Sequence, residues 1–516
     1  MNHPGEGSNL SITTREMKAL ETNSEYYGVS RLQLMENAGK SVAEEVSSRF
    51  QPSKAKIAIF CGLGGNGGDG LATARHLLNK GFQVTVIIAG KSDDITDNEA
   101  RANWNALQSL KNQVAIHEVY DSSLIPDIKA DVTVDSLLGI GLKGTPRPPI
   151  KQLITKINET KTFRIAVDVP TGIDSDSGEA LGEAVKADLT VTFHKPKTGL
   201  EKAKKHTGEI LTKDIGLPTQ FERFAGPGDV KIATKPRQPE THKGDFGRLL
   251  VIGGSETFSG APALVALAAY RTGVDLVHIG TPAETAYTVS SMSPDLITIK
   301  LDGDHVNPRN IAALEPYLEK STAVAVGPGL GLHRETAEFV KEIVKRVEAK
   351  KIPLLLDADG LKAFGEFKRK VKSPMVFTPH AGEYKILTGR EVPQALEERA
   401  VEVQKTADEL GIVILLKGHT DVISDGKRVK LNFSGNPGMT VGGTGDVLSG
   451  IVAAFLAQDI DPFEAAVAGA FINGASGDFV ACDKGYHMVA TDLLEWIPRI
   501  IDDPMSHVKV RRPRDC

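Results

Sequence analysis

A chain of 516 residues exceeds what one hydrophobic core usually organises, so its length excludes a single small domain and calls for two domains of about 200 to 280 residues. With 41% hydrophobic and 25% charged residues, the composition excludes a disordered chain and lets both domains bury a sizeable core. A formal net charge of −5 offers no general attraction to nucleic acid or to acidic membranes.

Residues 1–10 are polar and lack the apolar stretch of a secretory signal, and no apolar run of about 18 residues is read further on, so a cytoplasmic protein is expected. Cys61, Cys482 and Cys516 are too far apart for a CxxC pairing; neither a zinc site nor a disulfide framework is expected, and a reducing compartment fits. Helices are expected at 14–27 and 31–50. Short β-branched runs at 56–60, 83–88, 131–134 and 164–167 then alternate with helical stretches at 69–80, 97–110 and 148–159, the pattern of a mostly parallel sheet. At 218–240 the pattern lapses into proline, glycine and charge, which divides the chain into domains 1–225 and 235–505. A second alternating series starts at 248–254 and continues through 323–326, 353–356, 375–377 and 412–416, and the last third, 444–456, 462–479 and 491–501, reads as largely helical. Lys509, Arg511, Arg512 and Arg514 make the tail a solvated end.

The glycine-dense stretch from Gly438 to Asp446 ends in an acid where an apolar helical run begins. Successive backbone N–H groups and the positive end of a new helix form an anion site. A carboxylate beside that site would be repelled by the anion, so it is better placed to take a proton from a hydroxyl that attacks a phosphoryl group. Four glycines, Gly438, Gly442, Gly443 and Gly445, exceed what helix capping alone requires.

In the first series, residues 62–67 satisfy G-x-G-x-x-G directly after a strand, as in dinucleotide-binding dehydrogenases. The next strand ends Ile87-Ile88-Ala89-Gly90 with no acid to hold a ribose, so that fingerprint is incomplete. It leaves a mobile glycine backbone beside a strand end, with Asn66 and Asp69 offering oxygens to a cation or ligand. Asp135 precedes the glycine-rich 139–145, Asp168 precedes Pro170-Thr171-Gly172, and Lys195 and Lys197 follow Phe193. In a parallel sheet these strand ends share one edge and can converge. A lone acid at such a position is usually a cap or turn residue, and the lysines read equally well as surface residues.

Residues 65–70 (GNGGDG), 134–141 (VDSLLGIG) and 167–174 (VDVPTGID) resemble the N-terminal domain of the NAD(P)H-hydrate repair enzymes; 378–383 (TPHAGE), 416–421 (LKGHTD) and 436–446 resemble their C-terminal dehydratase domain. The resemblance spans nearly the whole chain in the order of the fused bifunctional enzyme. It implies a two-domain α/β protein, with a Rossmann-like three-layer α/β/α domain followed by a ribokinase-like α/β domain. The first would interconvert the R and S epimers of NAD(P)H hydrated on the nicotinamide ring. The second would dehydrate the S form at the expense of ADP, giving AMP and phosphate.

The same resemblance implies a potassium ion on Asn66, Asp135 and Thr171. Hydrate contacts fall on Gly65, Asn66, Gly67, Gly68 and Asp69, on Gly139, Ile140, Gly141, Leu142, Lys143, Gly144 and Thr145, and on Asp168, the expected acid–base group. Lys197 could balance phosphate charge. In the second domain Asp446 would activate the hydrate's hydroxyl, and amides around Gly442, Gly443 and Gly445 would stabilise the transferring phosphoryl group. Lys417, Gly418, His419, Thr420 and Asp421 would hold the adenine nucleotide, while Ala261, Gly329 and His380 touch the hydrate. Magnesium would be held largely by phosphates and water, since no all-protein cage is evident. A homo-oligomer is expected, with no nucleic-acid or membrane partner.

The chain departs from the family pattern at Gly65, where asparagine is usual, at Ile140, where threonine is common, and at Thr171, where serine often stands. Asn66 is retained. Two other readings stay open: a small-molecule kinase sharing the loop and base, and a non-catalytic nucleotide-binding or scaffolding role for the first domain.

Overall fold

A computed structural model describes residues 11–511, and the polar start at 1–10 and Arg512, Arg514 and Cys516 lie outside them. The chain forms two compact units, Met1–Thr219 and Gln220–Cys516.

In the first unit the helices Thr14–Tyr26 and Arg31–Arg49 each begin at a reciprocal cap, Thr13 with Glu16 and Ser30 with Gln33, which satisfies amides that the first turn leaves without partners. Seven strands follow: β1 Lys56–Cys61, β2 Gln83–Ile88, β3 Ala115–Glu118, β4 Val132–Ser136, β5 Phe163–Val167, β6 Leu189–Phe193 and β7 Glu209–Lys213. They form one parallel sheet in the order β3-β2-β1-β4-β5-β6-β7. β4 and β6 are buried along their whole length, because helices cover both faces. Chain direction across the sheet reverses between β1 and β4, where an open α/β sheet leaves a crevice at its carboxyl edge.

The glycine segment after β1 is not the mobile loop expected from its composition. Gly65 to Asp69 form the opening turns of the helix Gly65–Asn79, capped by an extended Gly64. Glycine is needed here for room. A Cβ on Gly67 would lie 2.0 Å from the Gly62 carbonyl oxygen, and one on Gly62 would lie 1.9 Å from that of Leu137. The helix therefore starts pressed against β1 and β4.

The second unit holds β8 Arg248–Ile252, β9 Leu276–Pro282, β10 Ile297–Leu301, β11 Ala323–Val326, β12 Leu354–Leu356, β13 Met375–Phe377, β14 Val413–Leu416, β15 Asp421–Ser424 and β16 Val429–Asn432. The order is β10-β9-β8-β11-β12-β13-β14-β15-β16, parallel except for the terminal β14-β15-β16 meander. Its reversal lies between β8 and β11. The helix Thr444–Ala457 packs on the helix Gly260–Thr272 closely enough that a Cβ on Gly450 would come within 2.3 Å of the Val265 carbonyl oxygen.

Two sequence expectations need correcting here. The helix Pro462–Lys484 is long and apolar enough to span a membrane, with a mean hydropathy of 1.3 over its best window, yet 83% of that window is buried inside the fold, as in a core helix. Cys482 is disulfide-bonded, whereas Cys61 is a buried free thiol.

Candidate active sites

In the first unit the strand ends assemble as the parallel edge requires. Asp135, at the end of β4, is buried; its carboxylate accepts the Thr171 hydroxyl at 2.6 Å, the Thr171 N–H at 2.8 Å and the Leu137 N–H at 3.3 Å. Burial pushes its pKa up to about 6. Asn66 lies against Gly139, and its amide nitrogen is buried without a hydrogen-bond partner. Turning that amide over would exchange the orphaned NH₂ for an oxygen, the donor a hard monovalent cation takes. The oxygen-rich set of Asn66, Asp135 and Thr171 thus fits potassium.

Asp168 follows β5 in the left-handed region, φ +64°, a conformation that costs a non-glycine residue free energy and must be held by its surroundings. Its N–H donates to the Val191 carbonyl at 2.8 Å, and one carboxylate oxygen anchors the side chain. Asp168 Oδ1 accepts from the Lys197 ammonium, from the Thr192 hydroxyl at 3.0 Å and from the Phe193 N–H at 3.4 Å. Lys197 itself is 1% exposed and also donates to the Phe193 carbonyl at 3.2 Å. This corrects the reading of Lys197 as a surface residue: burial beside a carboxylate makes it part of the site's interior.

Asp69, on the helix Gly65–Asn79, lies within electrostatic reach of Asp168, Glu21 and Lys197, and burial with two neighbouring acids raises its pKa well above the usual range. Glu21, from the helix Thr14–Tyr26, is raised chiefly by burial as well. The segment 139–145 is largely exposed, and Lys143, Gly144 and Thr145 join Arg147, Lys151 and Gln152 around an open cleft of about 570 Å³. Glu21, Arg147 and Lys151 were not found in the sequence, because they sit outside any glycine-rich strand end.

The second unit gathers its charges round Lys417, at the end of β14. Its ammonium lies 2.9 Å from Asp357 Oδ1 and 3.8 Å from Glu383 Oε2, and a Cβ on Gly445 would sit 3.5 Å from it. Asp357, at the end of β12, is 2% exposed and has its other oxygen bonded by the Ser449 hydroxyl at 2.8 Å. Ser449 and Asp446 share the first two turns of the helix Thr444–Ala457, which opens at Gly443 with φ +98°. The first-turn amides of this helix have no intrahelical acceptors, and no side chain caps them. Asp446 is half-buried, and burial, followed by the repulsion of Asp357 and Glu383, outweighs Lys417 and pushes its pKa up to about 7. A carboxyl in that range both accepts and returns protons near neutrality.

His380 is an N-cap: Nδ1 accepts the N–H groups of Gly382 at 3.0 Å and Glu383 at 3.3 Å, while the ring stays 59% exposed. Glu383 is buried and accepts the His380 N–H at 2.9 Å. Ala261 and Gly329 come together at the switch point; a Cβ on Gly329, φ +68°, would lie 3.3 Å from the Ala261 Cβ and 2.8 Å from that of Phe258. Gly418 and His419 are exposed, whereas Thr420 is buried. Asp421 braces its own turn, accepting the Gly418 N–H at 3.0 Å and the Asn432 amide at 2.9 Å, and burial raises its pKa to about 6. Asp357 and Glu383 were missed in the sequence, although Asp357 ends a strand just as Asp135 does.

Comparison with known proteins agrees across the chain. Residues 249–499 match the family model described as NAD(P)H-hydrate dehydratase, and residues 31–199 match that described as YjeF-related protein N-terminus. The bifunctional NAD(P)H-hydrate repair enzyme of Pyrobaculum aerophilum is 46% identical over 501 residues, 95% of this chain and 98% of the relative. That of Hyperthermus butylicus is 43% identical over 513 residues, 98% of this chain and 95% of the relative. A solved ADP/ATP-dependent NAD(P)H-hydrate dehydratase from Bacillus subtilis, co-crystallised with ATP and Mg²⁺, is 28% identical with a TM-score of 0.47, covering 55% of this chain and 98% of its own.

Proposed function

The chain belongs to the bifunctional NAD(P)H-hydrate repair enzymes, an epimerase joined to a nucleotide-dependent dehydratase, and from that premise we propose how its residues divide the work. In the dehydratase, ionised Asp446 takes the proton from the hydroxyl of the S hydrate as that oxygen attacks the terminal phosphoryl group of ADP. The amides at Gly442, Gly443 and Gly445 receive the developing charge. Lys417 and the neighbouring helix terminus balance that charge. Phosphorylation turns a poor hydroxide leaving group into a good one, and elimination of phosphate restores the dihydropyridine.

The observation that carries this reading is a half-buried carboxyl at N3 of a glycine-capped helix whose first turn lies beside the Lys417 ammonium. Mg²⁺ would be held largely by the phosphates and water, since no cluster of metal-ligating side chains occurs among the described residues, and when bound would neutralise charge at the phosphates. Gly418, His419, Thr420 and Asp421 take the adenosine side. Ala261, Gly329 and His380 take the hydrate.

In the epimerase, Asp168 exchanges protons with the carbinolamine, potassium rests on Asn66, Asp135 and Thr171, and 65–69 with 139–145 hold the dinucleotide. The exposed Lys143, with Arg147 and Lys151, suits its phosphates. Cytoplasmic residence and a homo-oligomeric state complete the reading.

The test is to supply purified S hydrate with Mg²⁺ and either ADP or ATP. Recovery of the reduced-nicotinamide absorbance with stoichiometric AMP and phosphate from ADP supports it. Net transfer of phosphate to a stable product would favour the small-molecule kinase instead.

A further inference from the structure

The first site contains carboxyl groups in opposed environments, which is the arrangement by which proteins set an acid against a base. Asp168 has Oδ1 fixed by three donors, one of them the ammonium of Lys197, which leaves Oδ2 as its uncommitted oxygen. The Asp69 carboxyl accepts no hydrogen bond among the described residues; it is half-buried in the opening turns of the helix Gly65–Asn79, the helix that starts pressed against β1 and β4. The charged groups facing it are Asp168, Glu21, Lys197 and Asp97, three acids against one base. Asp168 has the Lys197 ammonium as its direct partner, whereas burial and the neighbouring acids favour the protonated form of Asp69.

We propose that Asp69 is the general acid and Asp168 the general base of epimerisation, with Lys197 a positioning residue that keeps the two roles apart. The proposal rests on the epimerase reading and assigns its proton traffic. Asp168 takes the proton of the carbinolamine hydroxyl; the O–H electron pair forms the carbonyl as the bond between that carbon and the ring nitrogen breaks. The nitrogen keeps that pair and receives the proton of Asp69. Rotation of the freed aldehyde and reversal of both transfers close the ring on its other face. Both carboxyl groups return to their starting states, and no oxidant or reductant is consumed.

The experiment follows R-to-S conversion against pH in the full-length enzyme and in Asp168→Asn, Asp69→Asn, Lys197→Met and Lys197→Arg. Dehydratase turnover of the same samples and thermal melting report integrity. Wild type should give a bell-shaped profile. Asp69→Asn should lose about 100-fold while still binding hydrate. Lys197→Met should move the low-pH limb upward by at least one unit, and Lys197→Arg should restore it, a pattern that loss of packing alone does not produce. If Asp168→Asn is fully active, the epimerase reading itself fails. If Asp168→Asn is inactive but Asp69→Asn stays within about threefold of wild type, or Lys197→Met leaves the low-pH limb in place, this assignment alone is overturned. Should Lys197→Met not fold, the Asp69→Asn rate still decides.

Discussion

Asp446 is asked to do two things that conflict. As a base it must be ionised, yet burial and the nearby Asp357 and Glu383 favour its neutral form and raise its pKa to about 7. Dehydratase kcat/KM should therefore fall about tenfold per pH unit below about 7 and level off above it. Lys417→Met, which removes the one favourable charge, should push that limb higher; a limb that stays put would contradict the electrostatics. The stability sign runs the other way. A carboxyl whose folded pKa exceeds its unfolded value stabilises while protonated, and that contribution is lost as pH rises from the unfolded pKa of 3.8 through about 7. Asp446→Asn should thus melt at a higher temperature than wild type at pH 8, by on the order of 1 kcal/mol after solvent screening. The same variant should lose about a thousandfold in turnover.

At the scale of elements, the glycines at the strand ends separate into two kinds. Gly327, φ +133°, follows β11, and a Cβ there would lie 1.8 Å from the Asp357 carbonyl oxygen, so Gly327→Ala should cost about 2–4 kcal/mol in urea unfolding. Gly442 has nothing within 4 Å of a Cβ. Gly442→Ala should fold within about 0.5 kcal/mol of wild type and yet raise KM for the nucleotide, because the methyl group intrudes where phosphate meets the amides. If KM is unchanged, that segment does not cradle phosphate. The second kind is the more legible in sequence, since an open glycine run before an apolar helix has few structural uses. The buried parallel strands β1, β2, β4, β5, β8 and β11 were readable for a similar reason: full burial writes a continuous β-branched run. The edge strands β3 and β7 bury no position, β10 mixes exposed with buried ones, and the meander β15-β16 has only four residues per strand, too few to establish a period. Lys197 and the opening of the helix Gly65–Asn79 were misread because burial of a lysine and tight helix-to-strand packing are set by distant segments, and sequence spacing carries neither.

For the whole molecule, a parallel sheet with its own switch point in each unit gives each activity a separate edge to occupy. Replacing potassium by lithium should slow R-to-S conversion several-fold and leave turnover of pure S hydrate unchanged; equal loss of both would remove the cation from the first unit. The same independence governs the central assignment of Asp168 to epimerisation and Asp446 to dehydration. It is tested most directly by an epimer-resolved time course of mixed R and S hydrates with ADP and Mg²⁺, run on wild type, Asp168→Asn and Asp446→Asn. Wild type should clear both forms. Asp168→Asn should consume S at the normal rate and leave R to its slow uncatalysed conversion, while Asp446→Asn should equilibrate R with S and yield no reduced cofactor. Full clearance of R by Asp168→Asn, or recovery of reduced cofactor by Asp446→Asn at the wild-type rate, would contradict it.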